Sequence, residues 1–266
     1  MGVGDTYSCA TEVIGLELHI LGKKVDFRVR VGEGHARLAD IVPLARSLCT
    51  KITDVVVESI RSDEGHIPCC KGCSACCGHL VPLSVPEALR LKEEISAEPA
   101  YRRESVSRAC LLAARRILSQ EPPKPFMREI AELLPPSPLD PNVVSDWYGG
   151  LRLPCPFLYN GVCTIYEQRP LACRQYFIKG SAKACSGRRG VAEVVEMPVQ
   201  LPNALGQLAS ELEGTSVEAV ILPLAMVWCE ENPARAEQTW PVAMMVKRFL
   251  EIVKAMACEN STAVVA

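Results

Sequence analysis

The sequence carries no surplus of basic residues. Its 29 lysines and arginines stand against 31 aspartates and glutamates, so the electrostatic footprint of a nucleic-acid binder is missing and no nucleic-acid partner is expected. Long hydrophobic runs are missing too. The longest, AVILPLAMVWC at 219–229, is about half of the roughly 20 apolar residues that a membrane helix needs, so no membrane partner is expected. The opening MGVGDTYS has neither a positive start nor an apolar stretch, and the expectation is a cytoplasmic protein in a reducing compartment. No Ser/His/Asp set, P-loop or H-E-x-x-H motif is present, and there is no internal repeat. Gly32-Glu33-Gly34 follows a strand-like run but lacks the rest of a dinucleotide fingerprint. The myristoylation-like MGVGDT and the glycosylation-like Asn260-Ser261-Thr262 are read as chance matches.

What the chain has in abundance is cysteine. Its 14 cysteines are spread over 266 residues, a length that can bury a core without disulfide help, unlike a small disulfide scaffold. Five of them crowd into nine positions in CCKGCSACCG, Cys69 to Gly78. Clustered thiols in a reducing compartment point to metal or redox chemistry.

Patterning gives an α+β protein, mainly helical. Leu16, Leu18 and Ile20, then Val25, Phe27, Val29 and Val31, alternate around Leu21-Gly22-Lys23-Lys24, which predicts an N-terminal β-hairpin. Apolar residues at helical spacing follow from Leu38 to Val56, with Pro43 tolerable only near the helix start. Ser84 and Glu87 form a capping-box pattern for a helix through ALRLKEEI. A second helix over about 101–119 is arginine-rich, and those arginines read as a solvated face. Residues 121–142 are proline-rich and read as a linker or surface loop. LGQLASELE, VEAVILPLAMVW and VAMMVKRFLEIVKAM each carry helical spacing. The expected organisation is a hairpin plus helix over 1–65, a loop-rich cysteine-cluster domain over 66–190, a helical region over 191–257 and a disordered tail over 258–266. Helices would form a scaffold around the cysteine site.

The chemistry lies in two half-sites. The first holds Cys70, Cys73, Cys76 and Cys77; the second, about 80 residues later, holds Cys155, Cys163, Cys173 and Cys185. All eight are candidate metal ligands. The C-x2-C-x2-C run of Cys70, Cys73 and Cys76 is the spacing of ferredoxin-type cluster ligands, whereas structural zinc uses C-x2-C pairs in sets of four. On a helix, positions 70, 73 and 77 would share an arc of about 60°, so a helical presentation is the alternative to a loop. In either geometry the adjacent pair Cys76-Cys77 suits a polynuclear cluster, or two nearby metal centres, better than one ion. Pro154 and Pro156 stiffen the chain around Cys155, and Asn160-Gly161 predicts a turn that returns Cys163 towards it. Arg169 and Arg174 around Cys173 either balance the charge of a thiolate cluster or form a salt bridge, for instance to Glu167. Cys9, Cys49, Cys110, Cys229 and Cys258 read as core filler. Cys69 is ambiguous and, if not a ligand, could be a low-pKa reactive thiol. His66 and His79 are candidate ligands or proton carriers, or else outer residues; Trp147, Tyr148 and Tyr166 read as packing over the site.

Cys70-x2-Cys73-x2-Cys76-Cys77, Cys155-Pro156-Phe157-Leu158, Cys163 with Ile165-Tyr166-Glu167, and Arg169-Pro170 with Cys173-Arg174 together resemble the bacterial YkgJ-type cysteine-cluster family, described as a zinc- or iron-chelating CxxCxxCC domain. The resemblance covers roughly 70–185. It implies a metal-chelating domain with an iron–sulfur cluster, [4Fe–4S] favoured, acting with a protein or small-molecule partner that the sequence does not name. Zinc in a structural interaction module is the alternative. A branch similar to this pattern, the flagellin lysine-N-methylases, uses S-adenosylmethionine, so a cluster-bearing protein methyltransferase is a further alternative, resting on analogy alone.

Overall fold

The computed structural model describes residues 11–63, 65–121, 141–185 and 192–263. Strands β1 (Glu12–Ile20) and β2 (Lys23–Val31) form the expected antiparallel hairpin, in register from Glu12↔Val31 to Ile20↔Lys23. Its two-residue turn places Leu21 at φ 48° and Gly22 at φ 76°. Positive φ at both positions matches the right-handed twist of the strands. The alternation then sorts the two faces: Ile14, Leu16, Leu18, Ile20, Val25, Phe27 and Val31 are buried with Val29 packed partly against the same core, and the alternate residues are solvated.

A short strand β3 (His35–Arg37) and a 3₁₀ turn over Leu38–Ile41 lead into α1 (Val42–Ser62). Pro43 sits in the first turn of α1, where its missing N–H costs nothing. The inner face of α1, with Val42, Ala45, Leu48, Ile52 and Val56, packs under the hairpin. Strand β4 (Pro82–Ser84) then precedes α2 (Val85–Ser96). Ser84 donates to Glu87 from its backbone N–H (3.1 Å) and its hydroxyl (2.8 Å), so the sequence signature of the helix start is realised. Helix α3 (Ala100–Leu118) buries Cys110, Ala113, Ala114 and Ile117 and leaves Arg103, Arg108, Arg115 and Arg116 in solvent. Most of the proline-rich segment lies outside the described residues.

The second half-site runs from α4 (Pro141–Gly150) through the minimal hairpin β5 (Leu158–Tyr159) and β6 (Val162–Cys163), then α5 (Leu171–Gln175), β7 (Ile178–Lys179) and β8 (Glu193–Val194). After α6 (Leu201–Glu213) the chain departs from the helical expectation. Ala219–Ile221 is a strand, β9, paired antiparallel with β4 through Leu83↔Val220. The β-branched Val220 and Ile221 favour the extended chain, and Pro223 blocks continuation of any helix from that side. Helices α7 (Ala225–Glu231) and α8 (Pro233–Glu237) follow, then β10 (Thr239–Pro241) beside β3, and α9 (Val242–Ala263). Helix α9 runs through Ala263, so residues 258–263, expected as part of a disordered tail, are helical.

Two cores hold these elements, and both draw on all three sequence regions. One joins the hairpin, α1, Leu171 of α5, Met197, Val199, α6 and α9; the other joins α2, Cys110, Phe157, Ile165, Val220 and α7. Helix α6 serves both, with Leu205 and Leu208 in the first and Ala209 in the second. The cysteine region therefore lacks a core of its own and sits between two shared ones. Among the isolated cysteines, Cys49, Cys110 and Cys229 are buried as core filler, while Cys258 is exposed on α9 and departs from that reading. Cys9 lies outside the described residues.

Candidate metal centre

Residues 70–79 form a chain of tight turns. Cys73 N–H reaches Cys70 O at 3.1 Å, Cys77 N–H reaches Ser74 O at 3.0 Å, and His79 N–H reaches Cys76 O at 3.0 Å. Gly72 stands at φ 94°, a conformation that Cβ-bearing residues avoid. The loop presentation of Cys70, Cys73 and Cys76 therefore holds over the helical alternative.

The two half-sites meet through their backbones: Cys155 N–H donates to Cys77 O at 2.8 Å. From Cys155 the chain turns, with Leu158 N–H on Cys155 O at 3.0 Å, and reverses at Asn160 (φ 49°) and Gly161 (φ 75°). That reversal pairs Cys163 with Leu158 and returns it beside Cys155, as the turn signal predicts. Cys173 lies on α5, whose N-terminal Leu171 N–H is held by Glu87 at 2.7 Å.

Six thiols from both half-sites, Cys73, Cys76, Cys77, Cys155, Cys163 and Cys173, line one small cavity of about 60 Å³ together with Tyr148, Phe157, Ile165, Tyr166 and Arg169. A second small cavity, about 50 Å³, is lined by Cys69, Cys70, Cys185 and Tyr176, and again by Cys73, Cys76 and Cys173. Of the eight candidate ligands, Cys70 is exposed, Cys185 is buried, and the other six are half-buried. A wider cleft of about 560 Å³ opens on the other side of Cys76 and Cys173, edged by His79, Ser145, Asp146 and Tyr176.

Burial sets the protonation of these thiols. Desolvation pushes Cys155 up to about 11 and pushes Cys173 up as well, with the neighbouring thiols adding to it. The adjacent pair splits its titration: a hydrogen bond from the Cys77 thiol lowers Cys76, and the same bond raises Cys77. Among the described residues no group of three or more His, Cys, Asp or Glu side chains stands in an arrangement that could hold one metal ion. The thiols wall a space, and two of them, Cys76 and Cys77, hydrogen-bond to each other. Their chemistry nevertheless fits a metal. Soft sulfur donors select zinc and iron–sulfur clusters, and a cation supplies the drive to ionise buried thiols that otherwise keep their protons.

Of the two readings of the arginines, the salt bridge to Glu167 is not formed. Glu167 pairs with Lys71 at 3.0 Å. Arg174 donates to Arg169 O at 3.0 Å and to Glu167 O. Arg169 stacks on Tyr166 at 3.7 Å, donates to Tyr166 O at 3.0 Å, and lines both small cavities. Neither arginine forms an ion pair among the described residues, so Arg169 keeps its charge available to the thiols.

His66 is exposed and contributes its carbonyl to Gly180 N–H at 2.9 Å. His79 contacts Cys185 O through Nε2 at 2.8 Å and meets the Tyr176 ring edge-on at 5.6 Å. Tyr148 is buried against the first cavity, as packing over the site requires, while half-buried Trp147 donates to Glu121 O at 3.1 Å. The low-pKa reading of Cys69 is corrected: burial pushes its thiol up, with neighbouring cysteines adding to the rise. Two supporting residues escape sequence reasoning. Tyr176 hydrogen-bonds the Cys185 thiol, a role no spacing announces, and Glu87 reads as a helix cap with nothing to signal its second bond.

Residues 69–187 match the family model CxxCxxCC, described as "Putative zinc- or iron-chelating domain". Comparison with curated proteins and with solved structures gave no match. The S-adenosylmethionine reading therefore gains nothing beyond the resemblance.

Proposed function

We propose that this chain, whose residues 69–187 belong to the CxxCxxCC family of metal-chelating domains, holds an iron–sulfur cluster of the [4Fe–4S] type between its two cysteine half-sites. One observation carries the reading: six thiols from segments about 80 residues apart wall a single cavity, tied by the Cys155–Cys77 backbone bond. Four sulfurs on one tetrahedral zinc would have to stand about 3.8 Å apart, given Zn–S bonds near 2.3 Å. Six thiols from both half-sites line this space, more than one tetrahedral zinc can use, which favours a larger, polynuclear group. Arg169 offsets the negative charge of a thiolate cluster, and Phe157, Ile165 and Tyr148 keep water from it. When bound, such a cluster supplies electron transfer or a Lewis-acidic iron.

Anaerobic purification followed by metal and acid-labile sulfide analysis tests this. Iron and sulfide in comparable amounts, with broad absorbance near about 400 nm, are expected for thiolate-held clusters. Stoichiometric zinc without sulfide would replace the cluster by a structural zinc module. If Cys73→Ser and Cys163→Ser both retain full metal, the half-sites do not share a centre.

A second reading, an enzyme acting on a small molecule, is favoured by the open cleft. It reaches Cys76 and Cys173 from outside and sets His79, Asp146 and Tyr176 along its edge. Its size falls in the range of small-ligand sites. S-adenosylmethionine is the first ligand to test there, by calorimetry; no heat at high micromolar ligand would remove the methyltransferase reading.

A further inference from the structure

We propose that the cysteine crevice holds two metal positions, the second one closed by Cys69, Cys70 and Cys185. The inference rests on the first cavity being a metal centre and extends it to thiols that the first cavity does not contain.

The two small cavities divide nine thiols evenly. Cys77, Cys155 and Cys163 line only the first; Cys69, Cys70 and Cys185 line only the second; Cys73, Cys76 and Cys173 line both. Three thiols line the wall common to both cavities, and three more line each side. A single cubane uses four thiolates, which leaves five of the nine without a partner. Soft thiols crowded beside a cationic centre ionise and take up metal themselves.

The second compartment has supports of its own. The backbone of Ile178 on β7 hydrogen-bonds Cys69, and Gly180 N–H on His66 O at 2.9 Å draws that strand's end against the segment entering the cysteine run. Tyr176 hydrogen-bonds the Cys185 thiol, and His79 holds the Cys185 carbonyl at 2.8 Å. These contacts orient two thiols, Cys69 and Cys185, that are separated by 116 positions. Orientation of a ligand by outer hydrogen bonds is the ordinary accompaniment of a metal site. Arg169 lies on the shared wall, where its charge acts on both positions at once. The Cys76-Cys77 pair gains a reason as well: Cys77 faces only the first cavity, and Cys76 faces both.

The test counts metal atoms and sulfide per chain in the full-length protein purified anaerobically. Wild type is compared with Cys69→Ser/Cys185→Ser and with Cys155→Ser/Cys163→Ser. Each double variant is expected to lose part of the metal and keep the remainder, and the residual absorption spectra of the two should differ. If Cys69→Ser/Cys185→Ser keeps all its metal while the other variant loses metal, the second position is overturned and the cluster reading stands. If both variants lose everything while circular dichroism shows them folded, one indivisible centre replaces two. If neither loses metal, the cluster reading itself falls. Should the double variant fail to fold, Cys69→Ser alone, which leaves every thiol of the first cavity in place, decides the same question by whether its metal count falls.

Discussion

The Glu87 carboxylate on α2 accepts the backbone N–H of Leu171 at 2.7 Å, joining a helix start to the short helix that carries Cys173. The same side chain takes two bonds from Ser84 and is buried. Glu87→Ala should therefore destabilise the fold by about 1–3 kcal/mol, the cost of leaving its buried hydrogen-bond partners unsatisfied. Because α5 loses its anchor, metal content should fall with it. Denaturant titration and metal analysis of the variant check both, and unchanged metal at reduced stability would show that α5 is held by its other contacts.

The same carboxyl gives a pH dependence. Burial raises it above its ordinary value of 4.5, while bonds from Leu171 and Ser84 and the charge of Arg46 pull it back only in part. The folded chain thus keeps the proton longer than the unfolded one. Stability from this group is full below the ordinary carboxylate range and declines as pH rises through the folded-state value. Glu87→Gln lacks that titration, so the stability gap between wild type and variant should narrow from about pH 4 to about pH 8. A gap that widens would identify the carboxylate, not the acid, as the favoured form.

Leu21 occupies a left-handed conformation at φ 48° with its side chain largely in solvent. Asparagine adopts that conformation more readily, and Asn-Gly is the preferred pair in this turn. Leu21→Asn should stabilise the hairpin by about 1 kcal/mol, readable as a higher denaturation midpoint. A lower midpoint would mean that Leu21 contributes packing that outweighs its strain.

Phe157 is 1% exposed and stands between the first cavity and the core under α2. Phe157→Ala should cost about 3–5 kcal/mol, and it should open the cavity to water. Faster loss of metal to a chelator than in wild type is the expected companion. Equal loss rates would place the water barrier elsewhere.

Chelation of the metal should lower the thermal midpoint, and re-addition should restore it, because a metal held by both half-sites would add to the few direct links between them, the Cys155–Cys77, Gly180–His66, His79–Cys185 and Lys71–Glu167 contacts. A midpoint indifferent to metal would separate holding the metal from holding the fold.

Much of this was legible in the chain. The hairpin follows from strict alternation, the capping box from Ser84 and Glu87, and the return of Cys163 to Cys155 from Asn160-Gly161, because each is set by residues within a few positions of one another. Less legible were features that depend on distant partners. The Ala219–Ile221 stretch shows helical spacing, yet pairing with β4 makes it a strand. Cys69 and Cys185 share a cavity only because β7 folds back against the His66 segment. The free charge of Arg169 appears once Glu167 is seen to take Lys71.

The split of the thiols also imposes an order in time. A ribosome adding roughly 5–20 residues per second releases Cys155 some 4–16 s after Cys77. During that interval the five thiols between Cys69 and Cys77 are on a nascent chain with no opposing wall, open to oxidation and to whichever soft cation arrives first. The core beside them closes later still, since it needs α7 and the strand before it. Any metal shared by the two half-sites must therefore be taken up after Cys155 has emerged, late in synthesis or following it.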